Sequence, residues 1–172
     1  MAWLPGEYIP FLISKMTNPV GIELGTYQGG TTEYLLNNVP NLKLYGIDPY
    51  QPYIDWNGGT MDNPDELYDI FMNKIAPYGV RYHHYRQTSD DAVVNFVDES
   101  FDFIFIDGLH TYEQVLKDME NYYPKIKNGG LFSGHDFKVI DGVNKAVIEF
   151  ASRYNKRIDY DPTQDVWYWY KD

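Results

Sequence analysis

"FDFIFIDGLHTYEQVLKDMENYYPKIKNGGLFSGHDF", residues 101–137, decides the fold. Phe101–Asp107 reads as a strand, and the run from Phe103 to Ile106 contains no polar residue, so both its faces are expected to be buried. The run ends in an acid, Asp107, with Gly108 next and His110 three residues beyond it. Tyr112–Tyr123 then predicts a helix with Val115, Leu116 and Met119 on one face, and Gly130–Ser133 a second strand. Strand, helix and strand in this order make a parallel crossover unit. Side by side, the two strands end about 4.8 Å apart. Asp107 with His110 stands at one end, and His135 with Asp136 at the other.

The same alternation continues outward. Val20–Leu24, Lys43–Asp48 and Val80–Tyr85 read as strands. Thr31–Asn38 reads as a helix capped by Thr31 or Thr32, with Tyr34, Leu35 and Leu36 to bury. Pro64 opens a helix through Ile75, which Pro77 and Gly79 close; Ser89–Phe96 is a short one. Val139–Tyr154 is a long helix burying Val143, Val147, Ile148 and Phe150. Arg157–Tyr160 and Val166–Tyr170 flank the turn sequence DPTQD. The pattern predicts an α/β fold: a doubly wound, mostly parallel seven-stranded sheet with helices on both faces and a C-terminal antiparallel hairpin. One domain spans residues 1–172, with residues 1–19 as a helical cover and residues 49–63 as a lid loop carrying Tyr50, Tyr53 and Trp56. His83 and His84 are adjacent on a strand, so they face opposite ways and are expected in core or surface rather than in a site.

Composition narrows the function. A formal net charge of −11 and a pI near 4.6 would repel phosphate backbones, and Lys and Arg are scattered, so no nucleic-acid partner is expected. The chain has no Cys, hence no thiolate metal site. The N-terminal MAWLPGEYIPFLISK lacks a basic stretch and a long apolar run, so no membrane partner and a cytoplasmic location are expected. With 17 Tyr and 4 Trp, amphipathic rings are available to line a polar small molecule's pocket. A monomer or a homodimer fits equally.

In a parallel sheet, ligands sit beyond the carboxyl ends of the strands. The first crossing, IELGTYQGGTTEYLL, places Gly25, Gly29 and Gly30 there. A dinucleotide fingerprint wants Gly at position 27, and Tyr27 would obstruct a pyrophosphate, which disfavours a nicotinamide-dependent oxidoreductase. Glu23, just before the bend, suits a cationic or amino group, and Asp48 can accept both hydroxyls of a ribose. A non-catalytic nucleoside-binding module is the other competitor.

Three features together carry a resemblance: E-x-G-x-x-x-G over Glu23–Gly29, the strand-ending Asp48, and I-D-G-x-H-x-Y followed by G-G-x-x-x-G-H-D within residues 101–137. They resemble class I S-adenosylmethionine-dependent methyltransferases, in particular small O-methyltransferases acting on sugars and macrolides. The resemblance covers roughly residues 20–137 and implies a Rossmann-like fold with S-adenosylmethionine as methyl donor. It assigns Glu23, Gly25, Thr26 and Gly29 to the methionine part, Asp48 to the ribose, and Ser89 and Asp90 to the adenine, with Tyr27 and Asp107 also among the cofactor-binding residues. Asp107 then opens the reacting site, and the acceptor is a hydroxyl of a saccharide or small polar metabolite. The chain departs from related metal-dependent enzymes at His135–Asp136, where several of those carry Glu-Asp or Asp-Asn.

Two chemistries fit Asp107, His110, His135 and Asp136. Asp107 and Asp136, with His135, suit Mg²⁺ or Mn²⁺, which would orient a substrate hydroxyl and lower its pKa. Alternatively, His110 or His135 is the general base, with an acid holding its tautomer.

Overall fold

The FIFI run alternates strictly between two cores: Phe103 and Phe105 pack on one side of the sheet, Ile104 and Ile106 on the other, all at most 4% exposed. A strand buried on both faces is the interior of a layered α/β fold. The computed structural model describes residues 5–55 and 57–172; Trp56, expected in the lid loop, lies outside them. The strands are β1 (Val20–Leu24), β2 (Lys43–Ile47), β3 (Tyr82–Tyr85), β4 (Phe101–Ile106), β5 (Ile126–Gly134), β6 (Asp159–Asp161) and β7 (Val166–Tyr170). They form one sheet in the order β3-β2-β1-β4-β5-β7-β6. The first five run parallel, and β7 lies antiparallel to both β5 and β6. The expected fold class is therefore observed.

The helices are α1 (Ile9–Leu12), α2 (Gly30–Asn38), α3 (Pro64–Ile75), α4 (Ser89–Ala92), α5 (Tyr112–Tyr122) and α6 (Asp141–Arg153). Ile9, Leu35, Leu36, Phe71 and Ile75 from α1, α2 and α3 join the core containing Phe103 and Phe105. Val115, Met119, Val147 and Phe150 from α5 and α6 join the one containing Ile104, Ile106 and Trp167. Of residues 1–19, Pro5–Tyr8 form a 3-10 turn that leads into α1, and residues 1–4 lie outside the described residues. Among the described residues no helix is long and apolar enough to cross a membrane.

Several expected boundaries differ. Helix α2 starts after Gly29, whose φ of +74° supplies the left-handed entry; neither threonine caps it, and the Thr32 hydroxyl instead donates to Glu23. Residues 76–81 form a 3-10 turn, so β3 begins only at Tyr82. The Asn-Gly-Gly ahead of Leu131 is a bulge inside β5 rather than a break before it. Phe101 faces Ile126 and Phe103 faces Leu131, with Gly129 at φ +78° absorbing the extra residues. Ile148, expected in the core, is 50% exposed because Val143, Val147 and Phe150 define the buried stripe of α6.

Gly134 closes the pairing of β5 with β7 opposite Trp167. A Cβ there would lie 2.5 Å from Trp167 Cζ2 and 2.6 Å from the Ile106 carbonyl oxygen. We expect Gly134→Ala to cost about 1–3 kcal/mol in chemical denaturation through overpacking. Stability within error of wild type would show that this joint is loose.

Candidate functional site

The chain returns from β3 to β4 beside β1, so the crossings out of β1 and β4 diverge and leave a crevice at their carboxyl ends. A cleft of about 500 Å³ opens there, a size suited to a small molecule. Gly25 and Tyr27 line it from the bend after β1, and Asp48 from the end of β2. Gln51, Tyr53 and Met61 line it from loop 49–63, whose described residues have no regular secondary structure. Thr88, Ser89 and Asp90 come from the start of α4, Asp107 and His110 from the end of β4, and Gln114 and Asp118 from α5.

The bend is braced by Asp48. Its Oδ2 accepts the amides of Thr26 and Tyr27, each at 3.0 Å, and its Oδ1 accepts that of Tyr50 at 3.0 Å. Expected as a partner for ribose hydroxyls, Asp48 already takes three backbone donors, though it lines the cleft. The Tyr50 hydroxyl bonds the Tyr27 carbonyl at 2.5 Å and the Thr26 hydroxyl at 2.9 Å, which locks Tyr27 at φ +43°. Gly25 is required: at φ +84° a Cβ would lie 2.0 Å from the Asp107 carbonyl oxygen. Gly29 turns the chain into α2, donating its amide to the Thr26 carbonyl at 2.7 Å.

Glu23 lies one layer deeper than expected. It is 1% exposed, and its Oε2 accepts the Thr32 hydroxyl at 2.6 Å. Burial pushes its pKa up to about 8; the Thr32 bond opposes this, and the charges of Asp107 and Asp48 add to it. At neutral pH Glu23 is mostly protonated, so it is a hydrogen-bonded core acid rather than an anion.

Across the cleft, Ser89 and Asp90 divide. The Ser89 hydroxyl donates to Asp118 at 2.5 Å, and Gln114 donates to both at 3.1 and 3.0 Å. Asp90 instead turns to Lys117 at 2.7 Å. Asp118 is 2% exposed, and burial pushes its pKa up to about 7 against the bonds from Ser89 and Gln114. Neither Gln114 nor Asp118 was expected. A legible signal was present: the acid falls on the apolar face of α5, beside Val115, Met119 and Tyr122.

The four residues expected at the ends of β4 and β5 do converge. His110 Nε2 lies 3.0 Å from Asp136 and 3.5 Å from Asp107. His135 Nδ1 lies 3.1 Å from Asp136 and 3.4 Å from Asp107. A fifth residue, unexpected, joins them: Asp55 of loop 49–63 accepts the His110 backbone amide at 3.1 Å and meets its Nδ1 at 2.9 Å. Burial lowers the pKa of each imidazole, but contacts with Asp107 and Asp136 outweigh it, raising His110 to about 11 and His135 to about 10. Burial likewise raises both carboxyls, and the bonds and charges of the two histidines hold Asp107 and Asp136 below the usual range. Asp136 holds its place at φ +61°, and just beyond it the Asp165 carboxylate accepts the amides of Lys138 at 2.8 Å and Val139 at 3.1 Å. Ligand atoms of Asp107, His110 and Asp136 all lie within 4.8 Å of one another, and two carboxylates with an imidazole fit a divalent cation. His83 stacks on Tyr45 at the surface, whereas His84 packs among Tyr50, Tyr68 and Phe71.

Glu23 yields a test with a defined sign. Its folded pKa of about 8 exceeds the ordinary 4.5, so the stability from the neutral acid is complete below pH 4.5 and lost as pH rises through 8. In ligand-free protein, Glu23→Gln, which stays neutral, should match wild type in thermal unfolding at pH 4.5 and exceed it by several degrees at pH 9. Parallel pH profiles for the two proteins would refute the buried neutral acid.

Residues 22–137 of the 172 match the family described as a methyltransferase domain. Among curated proteins, the uncharacterized protein R132 of Acanthamoeba polyphaga mimivirus is 27% identical over 146 residues, which are 78% of this chain and 62% of that protein. This chain thus spans under two-thirds of that relative's length. Among solved structures, the O-methyltransferase NovP superposes with a TM-score of 0.72 at 15% identity, covering 97% of this chain and 77% of that one. An O-methyltransferase from Bacillus cereus in complex with SAH gives a TM-score of 0.67 at 14% identity, covering 98% and 80%. At such identities the likeness speaks to the fold, while the match over residues 22–137 speaks to the family. The chain belongs to the methyltransferase domain family.

Proposed function

We propose that this protein transfers a methyl group from S-adenosylmethionine to a hydroxyl oxygen of a small polar metabolite or saccharide. One observation carries the proposal: Gly25 and Tyr27 of the braced bend and Asp107 and His110 of the constellation border one cleft of about 500 Å³ at the carboxyl ends of neighbouring strands, with His135 and Asp136 in contact behind them. That arrangement lets a donor held along the bend meet an acceptor held beside Asp107. Family membership favours this over nicotinamide chemistry.

Gly25, Tyr27 and Asp48 border the donor's methionine and ribose ends, and Ser89 and Asp90, backed by Asp118, border its base. Glu23, Thr26 and Gly29 act from behind by holding the bend's shape. The sulfonium supplies an electrophilic methyl carbon: the acceptor oxygen bonds to it, the carbon–sulfur bond breaks, and the thioether departs. Placing the nucleophile in line is the main contribution of the site, and removing its proton the next. Contacts with Asp107 and Asp136 favour the protonated forms of His110 and His135. The donor's sulfonium charge, brought near those carboxylates, weakens that pairing, so that an imidazolium releases its proton to water and the neutral ring then takes the proton of the acceptor hydroxyl.

The donor set favours a second reading of the proton step, with Asp107, Asp136 and one imidazole holding Mg²⁺ or Mn²⁺. Such an ion would lower the pKa of a bound hydroxyl. The acidic chain, at −11, suits a small acceptor rather than a nucleic acid, and acts as a monomer or a homodimer.

S-adenosylhomocysteine at a hundredfold excess over its dissociation constant should stabilise the fold by ~2.7 kcal/mol, and no thermal shift at millimolar ligand would sink the donor assignment. Asp48→Ala should weaken that binding more than Asp136→Ala, because Asp48 fixes three amides of the bend. The reverse order would reject the division of roles. Methyl transfer that survives EDTA and ignores added Mg²⁺ would assign the proton to an imidazole alone.

A further inference from the structure

Loop 49–63 is seated at both ends, where Tyr50 and Met61 are 2% and 7% exposed. Between them, among the described residues, half-buried Tyr53 packs against the core, while Ile54 is 74% exposed and residues 57–60 are exposed throughout. Described residues with so little apolar burial contribute little local stability of their own. Asp55, midway, has its backbone in a tight turn, with its amide bonded to the Gly59 carbonyl and its carbonyl to the Gly58 amide, each at 2.9 Å. Its carboxylate reaches across to the end of β4 and takes two donors from one residue, the amide and the ring Nδ1 of His110. The same loop supplies Gln51, Tyr53 and Met61 to the cleft lining.

We propose that Asp55 is a positioning residue with two effects from one contact: it latches loop 49–63 over the cleft, and it sets the His110 ring so that Nε2 faces Asp107 and Asp136. A ring nitrogen committed to a carboxylate leaves the opposite nitrogen aimed the other way. Because the two bonds go to the backbone and the ring of the same residue, the ring cannot rotate away while the loop stays closed. Closing the cleft and aiming the imidazole are one event. The consequence for donor binding rests on the methyl-transfer reading above; the latch does not.

Hydrogen exchange and histidine-ring NMR on the ligand-free chain test the latch in wild type, Asp55→Ala, Asp55→Asn and His110→Ala. A charge-assisted contact of this kind holds a segment closed by about a factor of ten, so Asp55→Ala should speed exchange in residues 51–60 by about that factor. Exchange in β4 should stay unchanged. The protected His110 Nδ1–H signal should be lost in Asp55→Ala and kept, weakened, in Asp55→Asn, which retains an acceptor. The Asp55→Ala/His110→Ala double variant should be no faster in the loop than Asp55→Ala alone. Exchange in residues 51–60 within twofold of wild type, an unmoved His110 signal, or additive effects would each overturn the latch. S-adenosylhomocysteine dissociation forms a separate arm, expected to be about tenfold faster from Asp55→Ala. Equal rates from both proteins would overturn the link between latch and donor. Failure of the ligand to bind wild type would instead overturn the methyl-transfer reading, with the exchange result still deciding the latch.

Discussion

Everything at the cleft hangs on the contact between the ends of β1 and β4. The Leu24 carbonyl accepts the Asp107 amide at 2.8 Å, and Gly25 presses so close to the Asp107 carbonyl that any side chain on it would collide. This joint fixes the Gly-rich bend against the strand end that carries Asp107. The donor-binding and proton-handling halves of the proposed site therefore share one register. A shift of one residue in β4 would turn Asp107 to the opposite face of the sheet, and one in β1 would carry Gly25 out of its place against it; either loses both at once.

Carboxyl groups crowd this end of the sheet in a chain of net charge −11, and five of them coexist by three different means. Asp48 is satisfied by three backbone amides. Asp107 and Asp136 are paired with two imidazoles, whose protons they retain. Glu23 and Asp118, the most deeply buried, are pushed upward by desolvation and carry their own protons at or near neutral pH. A buried charge without such a solution would be untenable. Asp107 and Asp136, which the imidazoles hold ionised, thus stand at the proposed reacting position, and the protonated acids serve as supports.

The sequence made the sheet and the main constellation legible because both are written in short-range patterns. FIFI is apolar on both faces, and the motifs around Asp107 and Asp136 sit where parallel strands end. What escaped was set by tertiary contact. Thr32 has the chemistry of a cap but is drawn inward by Glu23. The Asn-Gly-Gly that signals a turn is accommodated as a bulge because Ile126, before it, still pairs with Phe101 of β4. Asp48 has an acid's usual reach for ribose, yet most of its capacity is absorbed by a loop whose conformation no local pattern specifies. Asp55 was invisible because its partner lies far along the chain, with only a fold to join them.

The placement of β7 has a consequence for the order in which the chain can be completed. β7 lies between β5 and β6, so β5 has no neighbour on that side until residues 166–170 have been made. Asp165, which grips the segment just beyond Asp136, arrives at the same moment. During synthesis, the strand bearing Gly134 and His135 is therefore an open apolar edge, exposed to pairing with other chains. β7 adds to the free edge of β5 and carries β6 with it, and a nascent chain lacking that strand has no Asp165 to hold the segment just beyond Asp136.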